Sequence, residues 1–149
     1  MKNMKIFLGA DHAGFELKEE VKKYLINSGF EVQDKGAYSY NKDDDYPDFV
    51  IPVAKKVSES PNHIGIIFGA SGQGEAIAAN RIKGVRAVIY YGGSIKIVKL
   101  SRTHNYANIL SLGAKFVNKK ESIKAVRIWL KTRFSNKPRH IRRIKKIDA

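Results

Sequence analysis

The sequence predicts an α/β fold in which a five-stranded parallel sheet carries helices on both faces. Two observations point there. Short apolar runs rich in β-branched residues, at 4–10, 30–33, 64–68, 85–90 and 107–112, have the length of strands rather than helices. Segments with apolar residues at helical spacing separate them, and strands that alternate with helices pair in parallel. A third observation locates the centre of the chain. The run 64–68 meets the glycine-rich stretch Gly69–Gly74, and an Ala-rich helix-forming segment, 75–81, follows.

Residues 4–10 form the first strand and lead directly into Asp11-His12-Ala13-Gly14. Over 15–28, Phe15, Leu17, Val21, Tyr24 and Leu25 share the inward face of a helix, with Lys18, Glu19, Lys22 and Lys23 outward. Gly29 stops it. A short strand at 30–33 ends at Asp34. Residues 37–45 are polar and read as a loop, with Asp43-Asp44-Asp45 solvated and lacking further metal ligands at suitable spacing. Pro47 suits a helix start, and Val50, Val53, Ala54 and Val57 give that helix its apolar face through residue 58. Ser60-Pro61-Asn62 ends it.

Ile64, Ile66, Ile67 and Phe68 suit a strand buried on both sides. Lys83-Gly84 ends the helix that follows the glycine turn. After the strand at 85–90, Gly92-Gly93-Ser94 caps a helix bearing Ile95, Val98 and Leu100, and His104-Asn105 closes it. The fifth strand ends at Gly113. Residues 122–134 form a helix with Ile123, Val126, Trp129 and Leu130 inward. A last basic helix, 139–147, aligns Ile141, Ile144 and Ile147. It lies beyond the sheet-building units, so it is expected to pack on a partner subunit.

The 149 residues read as one domain, 1–149, with a basic helical tail from about residue 136. No apolar run approaches the roughly 20 residues of a membrane span. The N-terminus is basic and briefly apolar but runs into Asp11, which fits a strand rather than a signal peptide. The absence of cysteine excludes disulfides and thiol nucleophiles and fits the cytoplasm. The net charge of +14 is unevenly placed. Residues 115–149 hold thirteen Lys and Arg against Glu121 and Asp148, a net of +11, which leaves +3 for the rest.

A strand, a glycine turn and a helix aim free backbone N–H groups at an anion. Ser71 adds a hydroxyl to this turn and Glu75 a carboxylate. The helix dipole favours the ionised acid there, which suits a base near neutral pH. Ligands of parallel sheets bind beyond the carboxyl ends of strands. Asp11-His12, the turn at 69–75 and Gly113-Lys115 all fall at such ends.

These residues resemble the ribose-5-phosphate isomerase type B family, which includes galactose-6-phosphate isomerase subunits. The resemblance rests on Gly9-Ala10-Asp11-His12-Ala13-Gly14-Phe15 with Lys18, on Asp45-Tyr46-Pro47, and on Gly69-Ala70-Ser71-Gly72-Gln73-Gly74-Glu75 with Ile77-Ala78-Ala79-Asn80. It continues through Gly84-Val85-Arg86-Ala87, Ser101-Arg102-Thr103-His104-Asn105 with Asn108, and Arg139-His140-Ile141-Arg142-Arg143. It covers nearly the whole chain and implies a three-layer Rossmann-like fold. It implies aldose–ketose isomerisation through ring opening and a cis-enediolate, without metal or organic cofactor. Many members use a Cys base at the position of Gly69; this chain looks like the branch with Glu75 as base.

The resemblance assigns further roles. Ser71 and the N–H groups of Gly72, Gln73 and Gly74 would stabilise the enediolate oxygen, and Asp11 and His104 would open the ring. Tyr46 and Asn105 would orient hydroxyls. His12, Arg139 and Arg143 would hold phosphate, with the arginines resembling those a partner subunit supplies, so a homodimer is the smallest expected assembly. Ala70 replaces a Gly and Lys115 an Arg common in the family. Ribose 5-phosphate is the expected substrate, with galactose 6-phosphate and allose 6-phosphate as alternatives. His63 matches no motif and is expected to face solvent, and His140 is open to a structural role.

Two other classes fare worse. A nucleotide-binding module would use Asp34 on a ribose, about 20 residues beyond its glycines, but Gly9–Gly14 lacks the middle glycine and no Gly-Lys-Ser/Thr loop exists. A nucleic-acid-binding tail would interleave aromatics with its charges, and only Phe116, Trp129 and Phe134 do so. Nucleic acid is therefore an unlikely partner on sequence grounds.

Overall fold

The structure is a computed structural model that describes residues 4–149. Residues 1–3, where the basic N-terminal stretch begins, lie outside the described residues. The strands are β1 (Lys5–Ala10), β2 (Glu31–Asp34), β3 (His63–Gly69), β4 (Ala87–Tyr90) and β5 (Ile109–Gly113). The helices are α1 (Phe15–Asn27), α2 (Pro47–Ser58), α3 (Gln73–Asn80), α4 (Lys96–Thr103), α5 (Lys119–Lys131) and α6 (Pro138–Ile147). All four strand pairings are parallel, in the order β2-β1-β3-β5-β4. Among the described residues no helix is long and apolar enough to cross a membrane.

Alternation along the strands divides the core in two. Ile6, Leu8, Ile66 and Phe68 meet Leu17, Val21 and Leu25 of α1 and Val126 and Trp129 of α5. Phe7 and Ile67 meet Val50, Val53 and Val57 of α2. On this second face Gly9 and Gly65 give α2 room: a Cβ on either would overlap the Val53 side chain. Full burial of both strand faces is what a parallel sheet between helical layers requires.

Several expectations need correction. Lys18, placed outward by helical spacing, is completely buried. Its ammonium donates to Asp34 Oδ2 at 2.6 Å and to the Ala37 carbonyl at 2.7 Å, tying α1 to β2 and to the loop after it. Lys22 also reaches Asp34, at 2.8 Å, so this acid has no free role of the ribose-binding kind. Helix α5 starts at Lys119, capped by the Asn118 side chain accepting from Glu121 N–H, and ends at Lys131, leaving Phe134 in extended chain to stack on Tyr106. His63 is half-buried, its Nδ1 2.6 Å from the Lys56 carbonyl and its ring against Phe7. Helix α6, expected to pack on a partner subunit, also touches its own chain, which leaves that expectation untouched: His140 is buried and Asp148 pairs with Arg86 at 2.8 Å.

Candidate active site

The strand order reverses between β1 and β3. Beyond the carboxyl ends of such a pair lies a crevice, since the crossovers leave in opposite directions. The residues singled out from sequence divide between this edge and the opposite one.

At the crevice, Asp11 ends β1 and is 7% exposed. Its Oδ1 accepts from Ala13 and Gly14 N–H at 3.0 and 3.3 Å. After β3 the chain turns through Gly69–Gly72, with Gly72 left-handed at φ +81° as the N-cap of α3. Ser111 of β5 donates its hydroxyl to the Gly72 carbonyl at 2.7 Å, while Ala114 and Lys115 N–H donate to the carbonyls of Gly69 and Ala70. The turn is thus stitched to the end of β5. Ala70 fits it without a left-handed backbone, and the Lys115 side chain is exposed.

Helix α3 begins at Gln73, so Glu75 is its third residue, 4% exposed. A Cβ built on Gly69 would overlap the whole Glu75 carboxyl group. The acid therefore occupies the volume that a side chain at 69 would fill. Tyr46, at the N-cap of α2, lies across Gly74: a Cβ there would come within 2.7 Å of the phenol. Ser71 Oγ accepts from Gln73 N–H at 3.2 Å.

Electrostatics differ from the sequence expectation. Burial, and then the charge of Asp11, raise the Glu75 pKa above its ordinary value, against the N–H groups of Glu75 and Gly72 that lower it. The dipole at the start of α3 is outweighed. His12 is raised as well, first by its hydrogen bond to Asp44 and then by the charges of Asp11, Asp44 and Asp43, with burial opposing. Asp44, read as part of a solvated loop, has a side chain only 8% exposed, and its Oδ1 lies 2.7 Å from His12 Nδ1. Sequence reasoning missed this residue; an acid triplet beside Tyr46-Pro47 is its one local signal. Ligand atoms of Asp11, His12 and Asp44 lie within 4.8 Å of one another. These are the groups that could approach a cation; His12 and Asp44 are already hydrogen-bonded to each other, while Asp11 bonds the Ala13 and Gly14 N–H groups.

The remaining site residues sit elsewhere. His104 and Asn105 follow α4, which runs back to the amino ends of the strands, and Asn105 and Tyr106 carbonyls accept from Arg86 just before β4. His140 of α6 stacks on His104 with ring centroids 4.3 Å apart, and its Nδ1 lies 2.6 Å from Ser135 Oγ. Burial, His104, Arg139, Arg143 and Lys137 lower its pKa. Arg139 and Arg143 are exposed one turn apart on α6. With β3 and β5 seven and five residues long, roughly 15–25 Å of strand separates this cationic cluster from Glu75 at ~3.3 Å per residue. Two further motif residues hold β4: Asn80 bonds Ala87 N–H and carbonyl, and Asn108 bonds Arg86 N–H and the Gly84 carbonyl.

The sequence and the fold both have known counterparts. The ribose/galactose isomerase family matches residues 6–147. A ribose-5-phosphate isomerase B of Mycolicibacterium paratuberculosis is 41% identical over 141 residues, 95% of this chain and 87% of that protein. The crystal structure of ribose-5-phosphate isomerase B from Mycoplasma genitalium with bound ribulose-5-phosphate superposes with a TM-score of 0.92 at 40% identity, covering 97% of this chain and 93% of that one. Ribose 5-phosphate isomerase from Thermotoga maritima gives 0.88 at 41% identity, covering 97% of each. The chain, with its buried Glu75 at the switch point of the sheet, belongs to the ribose/galactose isomerase family.

Proposed function

We propose that the chain interconverts ribose 5-phosphate and ribulose 5-phosphate through a cis-enediolate, in sites that two copies build together. The observation that carries the reading is the Glu75 carboxylate, buried beside Asp11 in the space left by Gly69. Relatives named as ribose-5-phosphate isomerase B, one crystallised with ribulose-5-phosphate, support it. A carboxyl group whose pKa is raised holds a proton more tightly, so its ionised form is the stronger base.

Glu75 takes the proton from C2 of the open-chain aldose and returns it to C1, while the hydroxyl proton on O2 passes to O1, leaving the carbonyl at C2. Negative charge grows on the carbonyl oxygen as the first bond breaks. The Ser71 hydroxyl and the N–H groups of Gly72, Gln73 and Gly74 meet that charge at the start of α3. Asp11 and His104 open the ring, one taking the hydroxyl proton and the other giving a proton to the ring oxygen. Tyr46 and Asn105 orient sugar hydroxyls. His12, Arg139 and Arg143 hold the phosphate, and arginine suits this because its fork bonds two oxygens.

His104, Asn105, Arg139 and Arg143 lie at the far edge of their own sheet, so they serve the site of a second copy. Exposed Ile77 and Ile97 line a groove of about 710 Å³ beside Gln73 and β4, an apolar surface that a second copy would cover. The cytoplasmic location and the single-domain reading from sequence belong to the same proposal.

The test compares the chain with Glu75→Gln on ribose 5-phosphate in buffer containing a chelator. The expected result is an active parent and a variant slower by about 10²–10⁴-fold that still binds substrate. A variant within a few-fold of the parent removes Glu75 as base. A parent active only on galactose 6-phosphate or allose 6-phosphate moves the substrate to six carbons.

A further inference from the structure

Asp44 is 32 residues from His12, in a loop of another crossover, yet one carboxylate oxygen serves both ends of the histidine. Asp44 Oδ1 accepts from the His12 backbone N–H at 3.0 Å and lies 2.7 Å from ring Nδ1. The first bond fixes the main chain just after β1, and the second fixes the ring. The Asp44 side chain is 8% exposed against 33% for His12. The acid is therefore behind and the imidazole in front. Tyr40 stands edge-on to the ring at 6.2 Å between centroids. Asp44 Oδ2 is buried and has no hydrogen-bond partner among the described residues, so within them the side-chain hydrogen bonds of Asp44 go to His12.

With Nδ1–H committed to a carboxylate, only Nε2 is left to face a ligand. We propose that Asp44 is a positioning residue, which clamps His12 so that Nε2–H is the nitrogen offered to the phosphate of the substrate. The inference rests on the functional reading above, which makes His12 a phosphate ligand. The acids that face the ring are Asp11, Asp43 and Asp44, and together they hold it protonated above the usual imidazole range. The part of the phosphate affinity that charged His12 supplies is present below the His12 pKa and is lost as pH rises through it, while the arginines stay charged. Removing the Asp44 charge makes that loss begin at lower pH.

Two measurements on the full chain decide the matter. The first is a histidine NMR titration of the parent, Asp44→Asn and Asp44→Ala, with the His12 signal assigned from a His12→Ala sample. The second is KM and kcat for ribose 5-phosphate, with inhibition by inorganic phosphate, across pH 6–9. Asp44→Asn keeps an oxygen for the backbone N–H and removes the charge. The expected result is a His12 titration moved to lower pH in both variants, with the acceptor that holds Nδ1–H lost only in Asp44→Ala. KM and the inhibition constant for phosphate rise about tenfold at a pH where His12 of the parent is still charged and that of the variant is not, and the loss appears in KM rather than kcat. Asp44→Ala does the same more strongly. An unchanged His12 titration, or an unchanged KM–pH profile in an active enzyme, overturns the proposal. So does a loss confined to thermal stability, which is what a loop staple would give. A parent inactive on ribose 5-phosphate overturns the functional reading instead, and the titration with the phosphate inhibition or binding arm still decides the role of Asp44.

Discussion

Gly69→Ala adds one methyl group at the spot where the Glu75 carboxyl group sits. A Cβ there overlaps both carboxyl oxygens and the carbon between them. Non-bonded heavy atoms settle near 3.5–4.0 Å, so the carboxyl must retreat by more than about 1 Å. A displacement of that size at a reacting group costs about 10²-fold in rate, or about 2.7 kcal/mol of barrier. The fold suffers less. Gly69 has no left-handed backbone to strain, and Ala is favoured over Gly in a strand by roughly 0.5–1 kcal/mol. Against about 1–3 kcal/mol of overpacking, the net loss lies between zero and about 2.5 kcal/mol. The assay pairs initial rates of ribulose 5-phosphate formation with thermal unfolding followed by circular dichroism. A Glu75→Ala background removes the clash, and there the stability cost of Gly69→Ala should vanish. A Gly69→Ala enzyme with the parent's kcat, or a stability cost that persists without Glu75, would refute the reasoning.

The raised pKa of Glu75 makes two further predictions. Its base form is needed for turnover, so kcat/KM rises with pH through a limb above the ordinary glutamate range, and that limb disappears from the residual activity of Glu75→Gln; a pH–rate profile checks both. In folding the sign is opposite to that of a paired carboxylate. The favourable contribution of Glu75 is complete below its unfolded pKa and is lost as pH rises through the folded one, because an ionised acid is then buried. Glu75→Gln should therefore melt higher than the parent at pH 7.5 and about equal to it at pH 4, as thermal scans at the two pH values will show.

What the sequence disclosed follows the range of the interactions. β-branched runs and the glycine turn encode their own conformation, so β3, the turn and α3 are legible from residues within about one element of each other. The start of α5 carries a local signal, since Asn118 followed three residues later by Glu121 marks a cap, whereas apolar spacing, which begins only at Ile123, places the start too late. Lys18 was not legible. Periodicity places it outward, and only its partners Asp34 and Ala37, on other elements, make burial of an ammonium tolerable. Glu75 misled for a related reason. The dipole is a local feature of α3, whereas burial and the Asp11 charge arrive from β1 and the packing around it. Asp44 bonds across 32 residues, and no local pattern announces such a pair.

On the proposed function, each site joins Glu75 of one copy to His104, Arg139 and Arg143 of another, and subunit complementation reads this out. Glu75→Gln and Arg139→Ala chains, each nearly inactive alone, are co-expressed with different tags, and the mixed dimer is purified and assayed on ribose 5-phosphate. In a two-fold dimer one of the two mixed sites has both its Glu75 and its Arg139, so the mixed dimer should recover about half of the parent's activity per dimer. A mixed dimer as inactive as its two parents would contradict the account and put both groups in one chain's site.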